Sequence, residues 1–293
     1  MLRWRLIFGT LIIALLSALC WADSHAVRAG IWLVPLALVL CVLATQEMLC
    51  LFRAAGRQPI AWAAYVGTVL PVLGACAPIV WVEYPADCPI GKLGWLAGGL
   101  VLGLLVAIVA EMGRYGQPGQ TITNLAPVAL TILYVGGLLG FLVQVRLLYD
   151  NKEGLVALVS LIATVKLSDT GQYLFGTFFG KRKLAPALSP GKTWEGTVYG
   201  LAFAVIVGSF FLWSWITKSG TGQGVLGVVL YCILVGAAGI LGDLAESMLK
   251  RDAGVKDSSR WLLGLGGVLD LLDSLLFAAP VAYFCWVSGL LRP

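Results

Sequence analysis

Nine apolar runs of roughly membrane-spanning length divide this chain, and little besides a helical membrane protein can be built from them. They cover residues 1–21, 31–52, 60–82, 93–112, 125–148, 154–175, 198–216, 225–241 and 275–291. A run of about 20 apolar residues matches the hydrocarbon thickness of a bilayer when wound as a helix. In lipid each backbone N–H and C=O must be satisfied within its own segment, so helices are the default. Composition agrees: 12% of residues are charged, against about 25% in soluble domains, and mean hydropathy is +0.91. Thirty-six glycines fit close helix approach in a membrane. The expected fold is an all-α polytopic integral membrane protein with about nine transmembrane helices. Arg3 and Arg5 precede the first run, which reads as a retained helix rather than a signal peptide.

Charge sets the expected orientation. With the N-terminus in the cytoplasm, one face collects thirteen Lys and Arg and the other six, Lys166 being unassigned. Short cytoplasmic loops carry the excess of Lys and Arg, so the N-terminus is expected inside and the C-terminus outside. The natural location is a bacterial inner membrane, and the net charge of +5 suits an anionic leaflet. Residues 1–153 form a first region of about five spans, with only scattered polar residues. Glu47 and Glu111 lie at span ends and read there as interfacial carboxylates. Residues 154–293 form a second region with polar loops at 176–197 and 242–274, both on the cytoplasmic side. Seven scattered cysteines without a C-x-x-C pair read as small buried hydrophobes, a Cys76–Cys88 disulfide being the lesser alternative. His25 is the single histidine, which excludes histidine-based catalysis and histidine-rich metal sites.

The segment from Gly242 to Ser274 holds ten of the 35 charged residues. Asp243 and Glu246 are three apart, as are Asp270 and Asp273, so on helices each pair shares a face. Such carboxylates suit a hard divalent cation, and Mg²⁺ typically takes one or two of them plus substrate phosphates. Lys250, Arg251, Lys256 and Arg260 can balance a polyphosphate, and Gly266-Gly267 offers a turn of close backbone approach. Asp169, within Ser168-Asp169-Thr170-Gly171, places a carboxylate near membrane depth, where an ionisable group is costly and marks function. Its bland alternative is a structural pair with Lys166. Ser189-Pro190-Gly191-Lys192-Thr193 is no P-loop, since Pro186 stands where the first glycine is required and no strand is expected before it. Lys192 and Thr193 can still contact phosphate, while Lys181–Lys183 read as a positive-inside anchor. Carboxylates, bases and a glycine turn without a nucleophile–histidine pair point to phosphoryl or nucleotidyl transfer, which is largely positioning and charge stabilisation.

The segments SDTGQYLFGTFFGKRKLAPALSPGKTWEG and GDLAESMLKRDAGVKDSS…GLGGVLDLLDS resemble the two signature regions of the phosphatidate cytidylyltransferase (CDP-diglyceride synthase) family. The resemblance is close over the last 130 or so residues and rests on hydropathy alone before them. It implies a Mg²⁺-dependent membrane enzyme joining CTP and phosphatidate into CDP-diacylglycerol and pyrophosphate, with a second, monovalent cation and a homodimer left open. By the same resemblance Asp243, Asp270 and Asp273 are expected metal ligands, with Lys256 and Asp257 counted in the catalytic set. Asp169, Ser189, Lys192, Thr193, Lys250, Arg251, Gly266 and Gly267 are expected to bind substrate. The partners expected are the two substrates and the bilayer, and no nucleic acid. Four positions depart from the family pattern: Ser259 for glycine, Leu263 for proline, Leu265 for histidine and Leu271 for arginine. The alternatives are a CTP-using transferase for an isoprenoid lipid phosphate or alcohol, and a transporter or non-catalytic membrane partner. A transporter should break helices in both halves of the chain, whereas here the polar interruptions fall in one half.

Overall fold

The protein is known from a computed structural model, which describes residues 2–81, 84–85, 88–116, 118–218, 224–259 and 266–291, with side chains from residue 9 onward save 216–218. It is an all-α integral membrane protein. The helices are α1 (Leu2–Ser24), α2 (Leu33–Ala54), α3 (Ala61–Ala75), the short α4 (Ala77–Val80), α5 (Gly91–Arg114), α6 (Thr121–Thr131), α7 (Leu138–Arg146), α8 (Asn151–Phe179), α9 (Trp194–Lys218), α10 (Val225–Asp252) and α11 (Val268–Val287). A π-helical turn, Ile132–Gly137, joins α6 to α7. Among the described residues seven helical runs are long and apolar enough to cross a membrane, with Thr121–Arg146 taken as one. Gly9–Ser24 and Ala61–Ala75 are apolar but shorter. Each of the nine apolar runs thus carries helix, the run at 60–82 being divided at Cys76 between α3 and the four-residue α4.

Helix ends differ from the hydropathy boundaries. The run ending at Leu241 continues as helix to Asp252, and the run expected from Leu275 starts at Val268. Hydropathy stops where charge begins, but Ala, Glu, Met, Leu, Lys and Arg are all strong helix formers. Asp243, Glu246, Lys250, Asp270 and Asp273 thus stand on helices. The loop after α8 holds a small antiparallel hairpin, β1 (Lys183–Ala185) with β2 (Ser189–Thr193), in register Lys183 to Thr193 and Ala185 to Ser189.

The chain divides into two compact units. The first comprises Met1–Leu155 and Leu249–Leu272, the second Val156–Met248 and Asp273–Pro293. In the first unit, Leu49, Ala64, Ala107, Val128 and Ile132 form a core shared by α2, α3, α5, α6 and the π turn. Thr45 Oγ1 donates to Thr68 Oγ1 at 2.9 Å, tying α2 to α3. At the far end of α1, Asp23 is fully buried and accepts Arg146 Nε at 2.7 Å, Gly30 N at 3.0 Å and Trp32 N at 2.9 Å. Arg146 is itself buried, and it also donates to Asn151 Oδ1. A buried ion pair holds only when the remaining hydrogen-bonding capacity is met, and here backbone amides and Asn151 meet it.

The second unit has its own core, in which Tyr231 of α10 meets Trp286 of α11 edge to face at 6.4 Å between ring centroids. The Tyr231 hydroxyl and Ser160 Oγ of α8 lie 2.8 Å apart, a hydrogen bond. Cys41, Cys76, Cys232 and Cys285 are buried, and all seven cysteines stand as thiols, so no Cys76–Cys88 disulfide forms.

Candidate active site

Two polar clusters emerge, one in each unit. That of the second unit draws on α8, the hairpin, α10 and α11. Thr193 ends β2 as the N-cap of α9, its hydroxyl accepting Gly196 N–H at 3.1 Å, the usual use of a threonine before a helix. Glu195 Oε2 accepts the amides of Lys181 and Arg182, both at 3.0 Å, which closes the base of the hairpin. Held in this way, Lys192 extends from β2 to Asp243 of α10, with Nζ 2.7 Å from Oδ2. Asp243 Oδ1 also accepts Ser247 Oγ at 3.4 Å. The backbones of α10 and α11 approach closely beside Asp243: a Cβ on Gly242 would meet the Asp273 carbonyl oxygen at 2.5 Å. The Asp273 side chain is buried and lies within electrostatic reach of Asp243, Lys166 and Asp169. Asp169 pairs with Lys166 at 3.5 Å, as the bland reading of its motif expected, yet it also feels Asp243 and Lys192. This cluster gathers three carboxyl groups, those of Asp169, Asp243 and Asp273, and the two amines of Lys166 and Lys192.

The first unit holds Lys250 at the end of α10, Ser258 and Ser259 in the following loop, Gly266 and Gly267, and Asp270 in the first turn of α11. Lys250 Nζ donates to Asp270 Oδ1 at 2.5 Å. Asp270 Oδ2 accepts Gly267 N at 2.6 Å and Ser258 N at 3.2 Å, with Ser258 Oγ at 2.7 Å. Gly266 has φ +89°, a left-handed conformation that favours glycine. Lys256, Asp257, Arg251 and Pro190 are exposed and Ser189 half-buried, so these positions are presented to solvent. Arg260, Leu263 and Leu265 lie outside the described residues. Leu271 is in α11 and half-buried.

The residue that sequence reasoning missed is Glu47. Glu47 and Glu111 were expected at an interface, but they are 7% and 5% exposed. Glu47, on α2, accepts Ser259 Oγ at 2.7 Å and Val268 N at 2.9 Å through Oε1, and Ser258 Oγ at 2.9 Å and Leu269 N at 2.8 Å through Oε2. A Cβ on Gly267 would overlap Ser258 Oγ and both Glu47 oxygens, so any other residue there would require these side chains to shift. The partners lie at least 211 residues away in sequence, and nothing local to Glu47 signals them.

The donor chemistry of these clusters, hard carboxyl oxygen, fits a divalent cation in kind. Among the described residues no three His, Cys, Asp or Glu side chains are gathered closely enough to ligate one. The aspartates Asp243 and Asp270 are each paired with a lysine.

Comparison with known proteins agrees with the motifs. The chain is 38% identical over 188 residues to the phosphatidate cytidylyltransferase of Haemophilus influenzae, covering 64% of each chain. To the protein of that name in Pseudomonas aeruginosa it is 46% identical over 133 residues, 45% of this chain and 48% of that one. To that of Mycobacterium bovis it is 30% identical over 275 residues, 90% of this chain and 81% of that one. The match therefore spans under two thirds of the first two relatives and most of the third. A cytidylyltransferase family profile covers residues 3–288, and the chain belongs to the cytidylyltransferase family.

Proposed function

We propose that this protein transfers the cytidylyl group of CTP to phosphatidate, giving CDP-diacylglycerol and pyrophosphate, at the cytoplasmic face of a bacterial inner membrane. The observation that carries the reading is the pairing of lysine with aspartate. Lys192 holds Asp243 at 2.7 Å and Lys250 holds Asp270 at 2.5 Å. Each pair joins a residue type that binds phosphate to one that binds a cation. A nucleoside triphosphate at either pair lets that lysine exchange carboxylate for phosphate oxygen with no net loss of charge pairing, and releases its aspartate.

In the reaction an oxygen of the phosphatidate phosphate attacks the α-phosphorus of CTP. The new P–O bond forms as the bond from the α-phosphorus to the β-phosphate oxygen breaks, and pyrophosphate leaves with that electron pair. A phosphate monoester is mostly dianionic at neutral pH, its second pKa being about 6, so no strong base is needed and the lack of a usable histidine is no handicap. Lys192 and Lys250 would offset charge on the nucleotide, with Asp169, Ser189, Thr193, Arg251, Gly266 and Gly267 framing the substrates, and Lys256 and Asp257 reaching them from the loop. Of the expected metal ligands, Asp243 and Asp273 share one cluster, while Asp270 belongs to the other. Asp243 and Asp273 would hold Mg²⁺ as its one or two carboxylates, the ion supplying charge neutralisation to the phosphates.

The test is formation of CDP-diacylglycerol by purified protein in detergent with CTP, phosphatidate and Mg²⁺, beside Asp273→Asn. Product from the wild type and a loss of at least about 10²-fold in the variant, the scale for removing one electrostatic contributor, is the expected result. A wild type that consumes CTP only with a polyprenyl phosphate or alcohol would move the assignment to an isoprenoid substrate.

A further inference from the structure

We infer that Glu47 is a positioning residue for cytidylyl transfer: from membrane helix α2 it caps the start of α11 and thereby sets Asp270 and the turn before it. The inference rests on the function proposed above and extends its machinery into a part of the chain that otherwise carries none.

The argument begins with cost. A buried carboxylate must be compensated by hydrogen bonds, or it is strongly unfavourable. Glu47 receives four, two on each oxygen, at 2.7–2.9 Å. Two come from the amides of Val268 and Leu269, the first two residues of α11. A helix begins with four amides that lack partners inside the helix, and a residue at the N-cap ordinarily supplies an acceptor from its own side chain. Here the N-cap is Gly267, which has none. In the usual capping box the N-cap side chain serves one amide while the residue three positions on reaches back to the N-cap amide. Asp270 performs that second half by accepting Gly267 N, and Glu47 supplies the missing first half from another helix. The capping box is split between two elements, and Asp270 belongs to it.

Glycine at 267 is a consequence of the arrangement, since any Cβ there would occupy the space of the Glu47 oxygens and Ser258 Oγ. Stability alone would be served by a serine or aspartate at the N-cap, with no glutamate on α2. The arrangement found places the control of the start of α11 on another helix.

Ser258 links the two carboxylates. Its hydroxyl carries one hydrogen, yet lies 2.9 Å from Glu47 Oε2 and 2.7 Å from Asp270 Oδ2. It can donate to one of them at a time. With Glu47 in place the hydrogen can be drawn away from Asp270, leaving more negative charge on that carboxylate. Without Glu47 the hydrogen goes to Asp270 and the first two amides of α11 lose their acceptor.

The experiment compares wild type, Glu47→Gln, Glu47→Ala and, as a control for general destabilisation, Asp23→Asn, all full length. kcat for CDP-diacylglycerol formation is normalised to folded protein, and amide hydrogen exchange is followed over residues 258–269. Glutamine keeps one acceptor oxygen, and a serine hydroxyl can turn to accept from its NH₂, so it should rescue in part. Expected is a kcat falling about tenfold in Glu47→Gln and about a hundredfold in Glu47→Ala, the scale of an ångström of misplacement, with faster exchange at 258–269. Asp23→Asn should unfold more easily but keep its kcat per folded molecule and its exchange at 258–269. Wild-type kcat in Glu47→Ala, or a loss tracking the folded fraction alone with exchange unchanged, overturns the inference. If the wild type makes no product while exchange at 258–269 still responds to Glu47, the proposed function fails and Glu47 is reduced to a helix cap.

Discussion

At the scale of single residues, the pattern is of charges held in waiting. Lys192 and Lys250 each occupy an aspartate, so replacing a lysine has two effects: a phosphate contact is lost and a carboxylate is left without its partner. Lys192→Met should lower kcat/KM for CTP by about 10²-fold, the range for loss of one charge-stabilising group, while Lys183→Met, on an exposed strand position, should leave it near wild type. Steady-state kinetics with varied CTP check this. Gly267→Ala should reproduce the Glu47→Ala defect in kcat, because its methyl group would displace the same carboxylate. A wild-type kcat in Gly267→Ala would show that the loop can move aside. Much of this site was legible beforehand: the i, i+3 carboxylates do lie on helices, and Lys192 does meet an expected metal ligand. Glu47 was not legible, because a lone glutamate at the end of an apolar run carries no mark of partners more than 200 residues on.

Among the elements, α1 and α7 are joined by the buried Asp23–Arg146 pair, with Gly30, Trp32 and Asn151 completing its hydrogen bonds. Removing one partner of such a pair strands a buried charge and costs about 3–5 kcal/mol. Arg146→Met should therefore lower the unfolding free energy in detergent by an amount of that order, read as a lower denaturation midpoint, with kcat per folded molecule preserved. An unchanged midpoint would mean that Asp23 is satisfied by the amides of Gly30 and Trp32 alone. Hydropathy located the helices but misjudged where α10 ends and α11 begins. The extension of α10 through Ala245-Glu246-Ser247-Met248-Leu249-Lys250-Arg251 is rich in helix formers, whereas the start of α11 is fixed by the hydrogen bonds of Asp270 and Glu47 to the amides of Gly267, Val268 and Leu269. The hairpin at 183–193 was missed for a different reason. Its strands are three and five residues long and contain Pro190 and Gly191, both poor strand formers, so local propensity argues for a loop, and pairing with Glu195 and the cap at Thr193 override it.

For the molecule as a whole, apolar run length sufficed for the all-α membrane fold, and the two charged segments sufficed for the family. We propose, from the bias of Lys and Arg, that the N-terminus and both polar loops face the cytoplasm. Single cysteines at Ala187 and Val255 in a variant lacking native cysteines should be labelled by an impermeant thiol reagent only in inside-out vesicles. Labelling of both in intact cells would reverse the topology. The central claim, that this chain performs nucleotidyl transfer to a lipid phosphate, is tested most directly by following two labels. CTP carrying ³²P at the α-position, and separately at the γ-position, is incubated with phosphatidate, Mg²⁺ and purified protein, and the lipid is extracted. The account predicts that the α-label enters the lipid fraction while the γ-label stays in water as pyrophosphate. Transfer of the γ-label to lipid, or of neither, would contradict it.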